Sequence, residues 1–411
     1  MEKNTGRRVF AVIGGGAAGF FAAVNAARLH PELDVIILEK SDKLLSKVRV
    51  SGGGRCNVTH ACFDNRLLVK NYPRGERELL QALSRFSTGD TIFWFHERGV
   101  ELKTEEDGRM FPVTDDSQTI VDCLLSEADR YNVQILCKAS LHEIIPENDQ
   151  WKITFDGAMP ALIADKVLIA TGGGRNESAF SYLKNTKHTI IHPVPSLFTF
   201  NIKKKALTEL MGVSVSDAKV MIPAAKTETQ GPLLITHWGM SGPAVLKASS
   251  IAARDLEKLQ YRFDVHINWL GSGNAESMFE ELNVIRKSEA QHKCDRSPFE
   301  GISRRLWEYF IGKSDMNADL RWGDNSNKQL RKLAEVLTRD VYSVEGKTTF
   351  KEEFVTCGGV SRKEIDFSTM ESKLHKGLFF AGEVIDIDAV TGGFNFQNAW
   401  TTGWIVSIGV G

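Results

Sequence analysis

The sequence has no apolar run long enough to cross a bilayer, few cysteines and almost no net charge, and each shortage removes a class of function. Its first apolar run, Arg8 to Ile13, is cut by glycines after six residues, where a membrane span needs about 20. Residues 1 to 7 are polar and carry no apolar signal core, so the expectation is a cytoplasmic protein with no membrane partner. The six cysteines (Cys56, Cys62, Cys123, Cys137, Cys294, Cys357) include no C-x-x-C pair. That argues for reduced thiols, and against a disulfide framework, a structural zinc or the paired cysteines of disulfide reductases. A formal net charge of -1 over 411 residues leaves no electrostatic footprint for nucleic acid or an acidic membrane. The local run Lys203 to Lys205 reads as a solvated face. Paired carboxylates, metal-ligand spacing and a nucleophile elbow are missing too, so neither hydrolysis nor a metal site is expected.

What the chain does have is glycine, placed at the ends of apolar strands. Arg8 to Gly19 reads RVFAVIGGGAAG, a buried parallel strand followed by a tight turn and a helix. Gly14, Gly16 and Gly19 fit G-x-G-x-x-G, with the small pair Ala17 and Ala18 opening the helix. The first glycine allows the turn, the second admits a pyrophosphate against bare backbone and the third lets the helix pack close. The helix then aims its unpaired N–H groups at phosphate. A second strand, Asp34 to Glu39, ends in a carboxylate twenty residues after Gly19, the place for an adenosine ribose acceptor. Glu39, beside Lys40, is therefore the candidate ribose ligand, and dinucleotide binding follows from the four features together.

A second glycine cluster, Ser51, Gly52, Gly53, Gly54, Arg55, Cys56 and Asn57, follows Lys47 and Arg49. Successive glycines can turn several N–H groups into one anion nest, with Lys47 or Arg55 supplying positive charge. Cys56 has no partner at short spacing and reads as packing. Asp165 to Gly174 (DKVLIATGGG) is another strand ending in glycine, with Thr171, Gly172 and Gly173 at its tip. Far downstream, Leu378 to Ala381 runs into Gly382 and Glu383, then Asp386, and Gly392 and Gly393 precede a helix from Phe394. A helix start at that point suits the pyrimidine side of a flavin. One parallel sheet with its cofactor loops at the carboxyl edge accounts for all three strand ends.

Between these lie a helix expected over Glu78 to Gly99, a strand pair in Val100 to Pro112, a helix over Gln118 to Arg130, a strand over Val133 to Leu136 and two strands within 141–156. Later strand-like segments are Leu197 to Ile202, Lys219 to Ile222, Leu233 to Thr236 and Tyr261 to Asn268. Helical spacing follows in Ala275 to Arg286, Phe299 to Phe310 and Lys328 to Leu337. The expected division is a discontinuous cofactor domain (1–192 and 352–411), a β domain (193–270 and 341–351) and a helical insert (271–340).

The motifs SGGGRCNVTH (51–60), DGRMFP (107–112), LLITHWGMSGPAVL (233–246), CGGVSRKEID (357–366), TMESK (369–373) and AGEVIDIDAVTGG (381–393) together resemble the BaiN-like (YhiN-like) flavoproteins, in order and over nearly the whole chain. The resemblance implies an α/β fold in which a glutathione-reductase-type Rossmann FAD-binding domain is interrupted by a β-barrel-like domain carrying a helical insert. It also implies an NAD(P)/FAD-dependent oxidoreductase, in a family whose proposed activities range from reduction of steroid enoyl intermediates to oxidation of aminoacetone. By motif position, Gly14, Gly16, Gly19 and Glu39 resemble the ADP-binding set, and Lys47 with the 51–57 loop the phosphate and flavin contacts. Glu383, Asp386, Gly392, Gly393, Phe394 and Asn395 resemble the ribityl and flavin set.

No second complete G-x-G-x-x-G follows a strand, so NAD(P)H is expected as a diffusible electron donor rather than the occupant of its own domain. The leading expectation is an NAD(P)H-fed reductase of a small organic molecule. An amine oxidase using oxygen, and a flavin-bound regulatory protein without turnover, are the alternatives. Substrate or proton contacts are nominated at His237, in the glycine-bounded THWGMSGP, and at Arg109, in a tight turn. His60 and His192 are weaker candidates.

Overall fold

The computed structural model describes residues 6–348 and 355–411. Strand β1 (Arg8–Ile13), helix α1 (Ala17–Leu29) and strand β2 (Leu33–Leu38) form the opening unit. β1 and β2 pair in parallel from Arg8 opposite Leu33 to Ile13 opposite Leu38. Three further strands join in parallel: β3 (Gln134–Leu136) beside β2, β4 (Lys166–Ile169) beside β1, and β5 (Leu378–Phe380) beside β4. The order β5-β4-β1-β2-β3 continues past β5 through two short antiparallel strands, Ile365–Asp366 and Glu371–Ser372.

The parallel strands are near-continuous apolar runs because the sheet is covered on both faces. Phe10, Val12, Ile37, Leu168 and Phe380 are buried in one core. Helix α2 (Phe394–Gly409) packs on α1 at Gly403, where a Cβ would lie 2.8 Å from the Ala18 carbonyl oxygen. A three-stranded meander, Leu141–Glu147, Gln150–Phe155 and Leu162–Ala164, intervenes in sequence between β3 and β4.

The helix expected over Glu78 to Gly99 is two helices, Glu76–Leu83 and Thr88–His96. The break is chemical: the Asp90 carboxylate accepts from the Ser87 N–H at 2.7 Å and hydroxyl at 2.8 Å, which starts a new helix there. The strand expected from Asp165 pairs only over Lys166–Ile169, the rest being glycine loop. Gln118–Arg130 is helical as expected.

The chain forms two compact units, 1–195 with 351–411, and 196–350. The last expected boundary, at 351/352, lies outside the described residues. The 196–350 unit holds a seven-stranded antiparallel sheet whose longest members are Ser214–Ile222, Thr227–Thr236, Arg262–Asn268 and Asp340–Glu345. Asp340–Glu345 alternates strictly between buried and exposed, the mark of a sheet with one wet face. Helices Ala275–Ser288, Arg304–Lys313 and Asn327–Thr338 share one apolar core with that sheet, with Trp269, Trp307 and Phe310 fully buried. The helix expected from Phe299 begins only at Arg304, because the Ser303 side chain accepts from the Leu306 N–H and caps it. Among the described residues no helix is long and apolar enough to cross a membrane.

Candidate cofactor site

β1, β4 and β5 lie side by side, and each ends at the same edge of the sheet in glycine. The three glycines of the first turn differ in what surrounds them. A Cβ on Gly14 (φ +113°) would lie 2.4 Å from the Ala170 oxygen, and one on Gly19 would lie 2.0 Å from the Gly14 oxygen. Those two positions are closed by backbone. At Gly16 nothing lies within 4 Å of the Cβ position, and α1 has no side-chain cap there. The first-turn N–H groups at Ala17 and Ala18 thus border open space, a cradle for an anion.

Glu39, at the end of β2, is half-buried and fixed by three donors: the Gly15 N–H at 2.9 Å to one oxygen, and the Ser41 N–H and hydroxyl, both at 2.9 Å, to the other. Lys40 beside it is exposed. From the 46–54 segment, Lys47 reaches Glu383 at 2.5 Å. That segment is helical at first and breaks at Ser51, with Gly52, Gly53 and Gly54 all at positive φ. A Cβ on Gly52 would strike the Phe111 ring at 2.8 Å, whereas Gly53 and Gly54 face open space.

Arg55 turns to acids of its own unit, pairing with Glu105 at 2.5 Å and Asp115 at 3.4 Å, its guanidinium 3.9 Å over Phe111. Arg109 shares Glu105 at 3.2 Å and takes Asp107 at 2.7 Å. The two arginines therefore meet around one ring. Cys56 is fully buried, and desolvation pushes its thiol up to about 12, so it is inert at neutral pH.

At the end of β4, the exposed Thr171 hydroxyl bonds Tyr182 at 2.7 Å, and Gly172 (φ +76°) has open space at its Cβ position. A Cβ on Gly173 would lie 2.1 Å from the Thr356 hydroxyl and 2.7 Å from a Glu383 oxygen. The same Glu383 oxygen accepts the Thr356 N–H at 2.8 Å. Gly382 donates its N–H to the Thr402 hydroxyl at 2.9 Å, and its Cβ position is 2.9 Å from Ala18. Lys47, Gly173, Glu383 and the first turn of α1 are thereby assembled from four parts of the sequence.

Before α2, Asp386 is buried and lies 3.5 Å from Arg362. Gly392 and Gly393 both have positive φ, and α2 starts without a side-chain cap. Asn57, with its amide turned to satisfy both ends, accepts the Gly393 N–H at 2.9 Å and donates to the Thr59 oxygen at 3.0 Å. Tyr72 donates to the Phe394 carbonyl at 2.6 Å. The Asn395 amide is used within the loop, bonding both the N–H and the carbonyl of Ala389 at 3.0 and 3.2 Å.

His60 stacks on Phe394 with ring centroids 4.6 Å apart. His192 lies at 3.0 Å from Glu177. His237 belongs to the other unit, exposed in the turn between Thr227–Thr236 and Gly239–Ser241, its ring 4.5 Å from that of Trp238. Thr356, Tyr72, Arg74 and Asp388 were missed in sequence reasoning. Only Pro73-Arg74-Gly75, a turn signal just before a helix, marks any of them.

An open glycine cradle and two uncapped helix starts as donors, with a fixed carboxylate at the end of β2 as acceptor, are the groups that a dinucleotide with a pyrophosphate requires. The residues present fit FAD. Over nearly its full length the chain is similar to the 3-dehydro-bile acid delta(4,6)-reductase of Clostridium scindens, 27% identical over 403 residues, covering 96% of this chain and 97% of the relative. It is likewise similar to a ribosomal RNA dihydrouridine synthase of Escherichia coli, 29% identical over 405 residues, covering 96% and 95%. In fold it resembles the 3-ketosteroid delta1-dehydrogenase of Sterolibacterium denitrificans, with a TM-score of 0.51 and 12% identity over 98% and 99% of the two chains. The resemblance to BaiN-like flavoproteins read from the sequence holds, and the fold is that of FAD-dependent oxidoreductases. The model of the HI0933-like protein Rossmann domain matches residues 8–409, and the chain belongs to that family.

Proposed function

We propose that the protein is an NAD(P)H-fed, FAD-dependent reductase of a ring C=C bond conjugated with a carbonyl, acting on a small molecule. The observation that supports this most directly is the open backbone at Gly16 between two closed glycines, in a chain matched along its length by a relative named as a delta(4,6)-reductase. Bound FAD would supply the hydride chemistry. The chain's own residues do the rest. Gly14 to Gly16 and the first turn of α1 would hold the pyrophosphate, and Glu39 the adenosine ribose. Lys47 and Glu383 would bracket the middle of the cofactor, and the N-terminus of α2 would favour negative charge at its far end. Reduction also needs a proton. Arg109, a planar guanidinium held by Asp107 and Glu105, suits orientation of the substrate rather than delivery of that proton.

A second reading is favoured by the Escherichia coli relative: the ring reduced is a uracil of ribosomal RNA, which is chemically the same class of conjugated bond. The near-neutral charge of the chain supports the small-molecule reading over it. Anaerobic mixing of FAD-loaded protein with NADH and NADPH tests the donor, bleaching of the flavin being the expected result. Reoxidation is then followed with a 3-oxo-4,6-diene steroid, with a ribosomal RNA fragment, and with air. Recovery of colour with the steroid alone supports the first reading, and recovery with the RNA alone supports the second. Bleaching only by a primary amine, with recovery in air, would make the protein an oxidase. Bleaching by nothing would make it a redox-regulatory protein.

A further inference from the structure

Residues 57–75 and 387–397 are laced together by contacts beyond those that holding a dinucleotide demands. Besides Asn57 to Gly393 and Tyr72 to Phe394, the Thr59 hydroxyl donates to Gln397 at 2.6 Å. His60 meets the Gly392 carbonyl at 3.0 Å, and the Val390 N–H donates to the Asn71 carbonyl at 2.9 Å. Gly75, at φ +100°, must be glycine here, because a Cβ would lie 2.7 Å from Ile387. The strongest link is electrostatic. Arg74 grips Asp388 with two prongs, Nε to Oδ1 at 2.6 Å and Nη2 to Oδ2, while Arg74 is 10% exposed and Asp388 fully buried. Two residues away, Asp386 is buried beside Arg362.

The loop from β5 to α2 thus carries two buried carboxylates balanced by two arginines, and it delivers the uncapped start of α2. We propose that Arg74 is a positioning residue that sets the reduction potential of the bound flavin, by neutralising Asp388 and holding this loop in register. Reduction adds negative charge to the cofactor. A buried carboxylate left without its guanidinium opposes that charge across a low-dielectric interior, and a slackened loop moves the helix start that favours it. This inference rests on the FAD reading above.

The test is a dye-coupled redox titration of FAD-loaded wild type, Arg74→Met and the double variant Arg74→Met/Asp388→Asn. The single variant should lower the two-electron equilibrium at least tenfold, about 30 mV in potential, and the double variant should recover most of it. If the single variant does not fold, Asp388→Asn alone, which keeps Arg74, should raise the potential instead. An unchanged potential in folded, FAD-loaded Arg74→Met, or in Asp388→Asn where that variant stands in, would overturn the inference while leaving the FAD reading intact. A double variant no better than the single would do the same. Wild type that takes up no FAD would overturn both.

Discussion

Both units bury an aspartate beside a cation, and they finish the job differently. In the 196–350 unit, Asp340 (3% exposed) takes Lys313 on one oxygen, and the Tyr342 hydroxyl at 2.5 Å and the Trp269 indole N–H at 3.2 Å on the other. The Tyr309 hydroxyl extends the network to Tyr342 at 3.2 Å. The polar groups of that cluster satisfy one another and tie a helix to the sheet. In the other unit, Asp388 is gripped by Arg74, but the loop it belongs to runs on into Gly392, Gly393 and a helix start with no side-chain cap. The first arrangement closes on itself. The second spends a buried ion pair, which by itself is poor evidence for stability, on presenting open backbone.

The largest effect should come from testing closed against open within the glycine turn. Gly19→Ala puts a methyl 2.0 Å from the Gly14 oxygen, a clash with backbone that cannot give. The expected cost is about 3 kcal/mol or more, with loss of the cofactor unit's cooperative transition by calorimetry. Gly16→Ala adds the same methyl where nothing lies within 4 Å, at an N-cap φ of -96° that alanine tolerates. Its melting should stay near wild type while FAD affinity falls. Equal melting of the two variants would erase the distinction drawn between those glycines.

Next in size, Lys313→Met leaves Asp340 buried without its cation. The expected loss is about 3–5 kcal/mol, read by chemical denaturation and largely recovered in Lys313→Met/Asp340→Asn. FAD affinity and flavin absorbance should not move. A shifted flavin spectrum in the Lys313 variant would show that the self-contained network is not self-contained.

Third, Glu39→Ala removes a carboxylate worth about 1.5–3 kcal/mol as a charged acceptor, so FAD should bind tenfold to a hundredfold more weakly. Because Glu39 also accepts from Gly15 and Ser41, Glu39→Gln sharpens the reading by keeping an acceptor while removing the charge. Titration calorimetry with FAD separates the two. Unchanged affinity in Glu39→Ala would take the residue out of the site.

These contrasts also explain what was legible in the sequence. β1, α1 and β2 could be read because their information is local: an apolar run, three glycines and an acid at fixed spacing. Placing β1, β4 and β5 in one sheet was legible because all three strands end the same way. The chain could not announce that Arg74 meets Asp388, 314 positions away, or that Lys47 meets Glu383, 336 positions away, since an arginine before a helix looks like any surface arginine. Arg55 was read as a source of positive charge for a nest because Glu105 and Asp115 lie 50 and 60 residues downstream. The break at Ser87 was written in the sequence as serine followed by Asp90. It was overlooked because the apolar spacing carries on through it.

The smallest expected effect is a pH dependence confined to the cofactor unit. His188 is buried with one ring nitrogen 2.8 Å from the Thr186 hydroxyl and the other 2.8 Å from the Ser372 hydroxyl. Burial lowers it to about 4 from its usual 6.5. In the unfolded chain the ring takes up its proton near the usual value, so between about 6.5 and about 4 the unfolded state binds more protons than the folded one. Stability is therefore whole above that window and is lost as pH falls through it. Discounted for solvent screening, the loss is on the order of 1 kcal/mol, or about 2–4 °C in Tm for a unit of this size. His188→Gln keeps polar ends for both hydroxyls but cannot titrate. Its drop in Tm between about pH 7.5 and about pH 5 should be smaller than the wild-type drop by that amount, whatever its Tm at neutral pH. An identical drop in both proteins would mean that this histidine is not held neutral by the fold. The neighbouring His375, whose ring bonds the Thr186 carbonyl at 2.9 Å, would then be the next group to replace.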